Sequence, residues 1–137
     1  MDMSDLGNRL RQTVKEATTV DRGVLEVLDY SYSTSRPISI RIEQPEFTSV
    51  CPISALPDFG RITIRYVPTS KIVELKSLKY YFLQYRNVGA FYEHLVNQIL
   101  DDLVAVLSPQ FMEVVGTFTP RGGITTTVYV THGKEEE

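Results

Sequence analysis

Ile62-Thr63-Ile64-Arg65-Tyr66-Val67, then the turn Pro68-Thr69-Ser70, then Ile72-Val73-Glu74, then Leu78, Tyr81, Phe82 and Tyr85: this is the stretch that decides the fold. The first run alternates apolar and polar residues, the period of two expected of a strand with one buried face. Beyond Glu74 the apolar residues fall three or four apart, which places them on one face of a helix. Sheet therefore gives way to helix here, with only a short turn between.

Working outward, Ile38, Ile40 and Ile42 alternate with Ser39, Arg41 and Glu43, so a strand from Ile38 precedes the first run. A second helix follows, with Asn87 as its expected N-cap and Val88, Tyr92, Leu95, Ile99, Leu103 and Val106 on its apolar face; it ends near Ser108-Pro109. Two strands complete the pattern. Met112, Val114 and Phe118 alternate around Gly116, while Ile124, Thr126, Val128 and Val130 alternate with Thr125, Thr127, Tyr129 and Thr131. The turn Pro120-Arg121-Gly122-Gly123 joins them as a hairpin. The order is strand, strand, helix, helix, strand, strand: an α+β domain over residues 38–132, with an antiparallel four-stranded sheet and two helices inserted between its second and third strands, packed on one face. Such a sheet has two open edges, and subunits joined edge to edge in a ring would cover them.

The flanks carry less information. Leu6, Leu10 and Val14 give a thin helical stripe, read as a peripheral arm that frays or docks on another subunit. Residues 21–37 hold a short apolar patch around Val24, Leu25 and Leu28, then a Tyr/Ser/Thr-rich segment ending at Pro37 that reads as an extended connector; residues 1–37 thus form arm and connector, and residues 133–137 a solvated acidic tail.

Composition narrows the classes of function. At 137 residues and 42% hydrophobic the chain has enough apolar surface for one core. A net charge of -3 gives no whole-chain attraction to nucleic acid or to an anionic membrane. A single cysteine excludes an internal disulfide, and with neither a membrane-spanning run nor a signal peptide visible, a cytoplasmic protein is expected. Cys51, His94 and His132 are scattered without ligand spacing, so no metal site is expected.

That cysteine lies in Phe47-Thr48-Ser49-Val50-Cys51-Pro52-Ile53-Ser54-Ala55-Leu56-Pro57-Asp58, a proline-flanked loop between the first two strands. It offers a nucleophile and, seven residues on, a possible proton donor. Taken alone, a lone cysteine is more often a small buried hydrophobe, and Pro57-Asp58 reads equally well as a turn.

Several motifs in order change that balance. Glu46-Phe47-Thr48-Ser49-Val50-Cys51-Pro52, Pro57-Asp58-Phe59-Gly60, Glu74-Leu75-Lys76-Ser77-Leu78-Lys79-Tyr80-Tyr81 and Tyr85-Arg86-Asn87 together resemble the NADPH-dependent 7-cyano-7-deazaguanine reductases of queuosine biosynthesis, the short form of the QueF nitrile reductase family. The resemblance spans residues 40–131. It implies a tunnelling fold (T-fold) whose subunits form a barrel, a homo-oligomer with active sites at subunit interfaces, and agrees with the element order read above. The activity it implies is reduction of a nitrile to an aminomethyl group on a small deazapurine, with no nucleic-acid or membrane partner.

The resemblance assigns roles that the chemistry can justify. Cys51 is the nucleophile that adds to the nitrile carbon and forms a thioimidate. Asp58 is the general acid that protonates the nitrile nitrogen. Glu93 accepts the two adjacent N–H donors of a guanine-like edge, with Tyr92, Glu74, Leu75 and Ser77 also placed at the substrate. No Gly-x-Gly-x-x-Gly fingerprint follows a strand, so cofactor phosphates fall to side-chain cations: Lys76 and Lys79 at the first helix, and Arg121 in the Gly-rich turn. Nitrile to amine takes four electrons, hence two NADPH per turnover and no metal. Two departures stand out. Ala55-Leu56 replaces the family's usual Gly-Gln, and Tyr92 replaces a usual histidine. Two alternatives remain: an amidine-forming relative that adds ammonia without NADPH, and a non-catalytic ring of the same fold.

Overall fold

The alternating runs on either side of the cysteine zip into one long hairpin, and the rest of the domain is laid against it. The computed structural model describes residues 3–135, without the side chains of Met3, Leu10 and Arg11; the Leu10 part of the N-terminal stripe, and Glu136 and Glu137 of the tail, lie outside the described residues. In chain order the elements are α1 (Met3–Gln12), β1 (Lys15–Glu16), two short 3-10 turns at Ala17–Thr19 and Arg22–Val24, β2 (Val27–Asp29), β3 (Ile40–Val50), β4 (Pro57–Val67) and β5 (Lys71–Val73). They continue with α2 (Leu75–Leu83), a 3-10 turn at Gln84–Asn87, β6 (Val88–Gly89), α3 (Tyr92–Leu107), β7 (Phe111–Arg121) and β8 (Ile124–Gly133).

The main sheet runs β1-β6-β3-β4-β7-β8. Its four long strands are antiparallel neighbours and match the expected α+β order, with α2 and α3 between β4 and β7. The sheet is six-stranded, not four-stranded, because Lys15–Glu16 and Val88–Gly89 add two short parallel strands beside Val50. Gly89 permits this: a Cβ there would sit 2.6 Å from a Val14 methyl and 3.3 Å from the Pro52 Cα, so the N-terminal segment and the cysteine loop meet over a bare backbone. A second, two-stranded sheet pairs Val27–Asp29 with Lys71–Val73. The apolar patch expected at Val24, Leu25 and Leu28 packs in part, with Leu28 exposed, and the Tyr/Ser/Thr-rich segment after it is not extended. Leu25 is buried, Val20 and Val24 pack on the core, and residues 30–36 coil through successive turns.

The helix stripes are buried where packing follows period. Leu78, Tyr81 and Phe82 of α2 and Tyr85 just beyond it are buried, as are Leu95, Ile99 and Leu103 of α3; Val106 is only partly so. Asn87 does not cap α3. It ends the 3-10 turn, Val88 and Gly89 extend into the sheet, and the cap falls on Phe91, which makes no side-chain cap bond. The helix stops at Ser108, whose φ of 45° turns the chain out of the helical path.

Two interruptions in the ladders decide which side chains point inward at one end of the sheet. Between Gln44 and Phe47 the β3–β4 register slips by one residue, a bulge at Pro45-Glu46. A second slip, between Phe118 and Arg121, falls at Thr119-Pro120. Because a strand alternates faces residue by residue, each extra residue turns everything beyond it over. Phe47 and Ser49 thereby share the inner face with their partners Gly60 and Asp58, where an unbroken continuation from Ile42 and Gln44 would have carried even-numbered residues inward. Arg121 is likewise returned to the face of Phe118. Only Gly122 and Gly123, both at positive φ, form the turn, as a two-residue hairpin connection requires; Pro120 and Arg121 belong to the strand. The cysteine loop is correspondingly short: Phe47–Val50 and Pro57-Asp58 are strand, leaving residues 51–56 to turn the hairpin.

Candidate active site

Cys51 is the first residue after β3. Its N–H donates to the Leu56 carbonyl at 2.9 Å and its carbonyl accepts from the Ala55 N–H at 2.9 Å, so both ends of the turn are tied to the cysteine. Ala55 is held at φ 60° to close this loop, a conformation that glycine adopts freely and an alanine at a cost of about 1 kcal/mol. The glycine expected here from the family pattern therefore has a backbone reason, and this chain carries the strain instead.

Asp58 stands on the inner face of β4, 4% exposed, in register with Ser49. Arg121 reaches it across the sheet, with Nη2 2.9 Å from Oδ1 and the guanidinium side chain 45% exposed. Tyr92, in the first turn of α3, lies close to the pair, its ring stacked on Phe118 at 3.7 Å between centroids and an interplanar angle of 7°. The Tyr92 hydroxyl is buried and makes no hydrogen bond of ordinary geometry, but the Asp58 carboxylate lies close to it; burial first, and that carboxylate second, push the phenol up to about 12. Arg121 and Cys51 also act on it, which ties the four side chains into one cluster.

The thiol is set for ionisation. Burial opposes the charge, yet hydrogen bonds from the Ser54 side chain and N–H, from Arg121 and from the Ile53 N–H outweigh it, bringing Cys51 from an ordinary value of 9.0 down to about 7. Near neutrality a large fraction is thiolate, the nucleophilic form. A soft nucleophile beside a buried carboxyl group can add to a polarised carbon and hand a proton to the atom that leaves or gains charge.

The other expected site residues lie elsewhere in the chain. Glu93 follows Tyr92 in the first turn of α3 and is exposed. Glu74 is the N-cap of α2, its carboxylate accepting from the N–H groups of Lys76 at 2.9 Å and Ser77 at 2.6 Å; these bonds, Ser77 first, hold its pKa below the usual carboxylate value. The Ser77 hydroxyl accepts from the Glu26 N–H at 2.9 Å and donates to the Glu74 carbonyl at 2.7 Å. Both side chains thus build the corner between the small sheet and α2. That corner leaves Leu75, 63% exposed, with Lys76 and Lys79 on the surface. Glu74, Lys76 and Ser77 line a cavity of about 330 Å³ with Val24, Glu26 and Tyr80, residues that do not include the cysteine cluster. Arg121 therefore joins Cys51 and Asp58 within the chain, while the two lysines do not.

Two features leave no trace in sequence spacing. Ser49 is fully buried beside Asp58 with its hydroxyl unpartnered among the described residues, a property no spacing rule discloses. Tyr81 and Tyr85, read as apolar, carry a buried polar chain: Tyr81 donates to Asp102 at 2.6 Å, the two phenol oxygens are 2.9 Å apart, and Arg22 reaches Asp102 at 2.9 Å. It pins the N-terminal segment to both helices. Among the described residues no group of three or more His, Cys, Asp or Glu is placed to hold a metal, and no helix is long and apolar enough to cross a membrane.

An α+β sheet that assembles a low-pKa thiol, an aspartate and an arginine at one end defines a class of thiol-dependent addition sites, and comparison with known proteins makes the class specific. The profile of the QueF-like protein family matches residues 57–137. The NADPH-dependent 7-cyano-7-deazaguanine reductase of Chlorobium phaeobacteroides is 59% identical over 108 residues, covering 79% of this chain and 92% of its own. The enzyme of the same name from Caldanaerobacter subterraneus subsp. tengcongensis is 47% identical over 134 residues, covering 98% and 99% respectively. Among solved structures, the apo archaeosine synthase QueF-Like superposes with a TM-score of 0.62 at 21% identity over 72% of this chain and 94% of that one, a likeness of fold. The chain belongs to the QueF-like family.

Proposed function

We propose that this chain is an NADPH-dependent reductase of the nitrile of 7-cyano-7-deazaguanine. The observation that carries the reading is the cluster of Cys51, brought down to about 7, with the Arg121–Asp58 pair at 2.9 Å on the same face, in a chain closely similar to reductases of that name. In the first step the Cys51 thiolate forms a bond to the nitrile carbon, one π bond of the nitrile opens onto nitrogen, and the Asp58 carboxyl O–H breaks to protonate that nitrogen. The product is a thioimidate and an Asp58 carboxylate. Hydride from one NADPH then adds to the thioimidate carbon, and the C–S bond breaks to return the thiolate and leave an imine. Hydride from a second NADPH adds to the imine carbon while a second proton, drawn from solvent through Asp58, goes to the nitrogen to complete the amine. One further solvent proton restores the Asp58 carboxyl group.

Glu93 accepts the paired N–H donors of the deazapurine ring, with Tyr92 against its face. Lys76 and Lys79 hold cofactor phosphates. Their distance in sequence and structure from Cys51 supports a homo-oligomeric barrel in which one subunit's corner meets another's cysteine cluster. The apolar residues exposed around both places, Ile53, Leu56, Phe59 and Phe91 at one and Leu75 and Tyr80 at the other, support the same assembly.

The test is loss of NADPH absorbance on mixing protein with the nitrile base. Turnover is expected in the wild type, with a protein mass adduct on Cys51. The Cys51→Ala variant is expected to show no adduct and a rate lower by at least about 1000-fold. Adduct formation without NADPH consumption would instead identify an amidine-forming enzyme, and neither adduct nor consumption would leave a binding ring.

A further inference from the structure

Ser49 belongs to the cluster by position but has no part in the addition chemistry above. Its side chain is 0% exposed and its hydroxyl has no hydrogen-bond partner among the described residues. Buried hydroxyls are normally bonded, and alanine would fill the same space without an unsatisfied group, so the hydroxyl is destabilising as it stands. Its location is specific. The bulge at Pro45-Glu46 puts Ser49 on the inner face directly opposite Asp58 in the β3–β4 ladder. Directly opposed residues of an antiparallel pair have their Cβ atoms about 5 Å apart on one face, within reach of a hydroxyl rotor and a carboxyl group. The other groups that face Asp58 are Arg121 from β7, Tyr92 from α3 and Cys51 from the loop, and the Tyr92 hydroxyl is the second buried polar atom without a partner.

We propose that Ser49 is a positioning residue for Asp58, its unpartnered hydroxyl held opposite the carboxyl group so as to donate to it when that group gives up its proton. The inference rests on the proposed addition to a nitrile. As the C–S bond forms and the Asp58 proton passes to the nitrile nitrogen, the charge left on Asp58 is shared between Arg121, 2.9 Å away, and the Ser49 hydroxyl, which one side-chain rotation brings to the carboxylate. The Ser49 O–H bond stays intact throughout; rotation about its Cα–Cβ bond carries the oxygen to the carboxylate. The Tyr92 hydroxyl, which Asp58 also acts on, serves the same carboxylate. A donor unsatisfied beforehand and satisfied afterwards lowers the barrier rather than merely tightening binding.

The experiment measures thioimidate formation by rapid mixing of excess nitrile base with wild type, Ser49→Ala and Tyr92→Phe, alongside thermal unfolding. Ser49→Ala is expected to slow adduct formation at saturating nitrile by about ten- to a hundredfold, with little change in the nitrile concentration for half-saturation and an unchanged or higher Tm. Tyr92→Phe, which keeps the ring stacked on Phe118, is expected to act in the same direction. A rate within twofold of wild type in Ser49→Ala overturns the role of Ser49 while leaving the nitrile reading intact. A slower rate accompanied by a lower Tm overturns it too, since that is the mark of a packing residue. A wild type that forms no adduct at all overturns the nitrile reading and this inference with it.

Discussion

Two regions share the motifs of one family, yet the chain treats them differently. At the cysteine end of the sheet, Cys51, Asp58, Arg121 and Tyr92 come from a loop, two strands and a helix and meet inside one chain, Cys51 and Asp58 buried, Tyr92 half-buried and Arg121 exposed. At the α2 corner, Glu74 and Ser77 spend their polar atoms on capping and bracing, and what remains, Leu75, Lys76 and Lys79, faces outward. The first region gathers a thiol, a carboxyl group and a guanidinium, with hydrogen bonds that favour the thiolate. The second presents cations and an apolar side chain to whatever lies beyond. On the proposed reading, thiol addition falls to the first region and cofactor phosphates to the second, so the two steps would use differently built parts of the molecule.

The sharpest way to break this division is to remove the outward cations. Lys76→Ala with Lys79→Ala is expected to raise the NADPH concentration for half-maximal rate by about 10- to 100-fold while adduct formation on Cys51 stays near wild type, read by steady-state kinetics and intact mass. If the adduct is lost as well, the corner is part of the thiol's own support and the division fails. A smaller effect is expected within the cysteine cluster. Arg121→Met removes one of the groups that favour the thiolate, so the midpoint of iodoacetamide alkylation against pH should move from about 7 towards 9.0, slowing alkylation at pH 7 several-fold. The same shift appears in stability. A thiol that ionises more readily when folded stabilises the fold fully above about 9, and that contribution is lost as pH falls through about 7. In Arg121→Met the window should narrow from its lower end. The smallest effect concerns the loop itself: Ala55→Gly is expected to relieve the φ of 60° and raise stability by about 0.5–1 kcal/mol, seen as a modest rise in Tm.

Period carried most of the fold. Tyr81, Phe82 and Tyr85 on one side, and Met112, Val114 and Phe118 on the other, are buried as their spacing implies, because a face that packs against a core must repeat with its element. What spacing could not disclose were contacts between distant parts of the chain. The parallel pairing of Lys15 with Val88, and the antiparallel pairing of Val27 with Val73, involve strands too short to show a period. The site divides the same way. Cys51 and Asp58 are picked out by their motif and Arg121 by its Gly-rich turn as an expected cofactor ligand, whereas the contact between Arg121 and Asp58 is visible only in the fold. Ser49 leaves no mark in the sequence because its peculiarity is a missing partner. The prolines at 45 and 120 are the available signal for the bulges, as proline inside a strand pattern marks an interruption.

Those two bulges make the reactive end of the sheet a matter of counting. Each strand carries its chemistry at an address fixed by odd or even position, and one additional residue in each strand reverses the address at the point where the sheet leaves the core. A substitution along β3 or β7 degrades the site by degrees, but removing a single residue from either bulge would turn the groups beyond it to the opposite face while leaving the ladder below unchanged. Lengths between Gln44 and Phe47, and between Phe118 and Arg121, are therefore less free to drift than their surface exposure suggests, and the spacing of these segments constrains the chain as firmly as the identity of its cysteine.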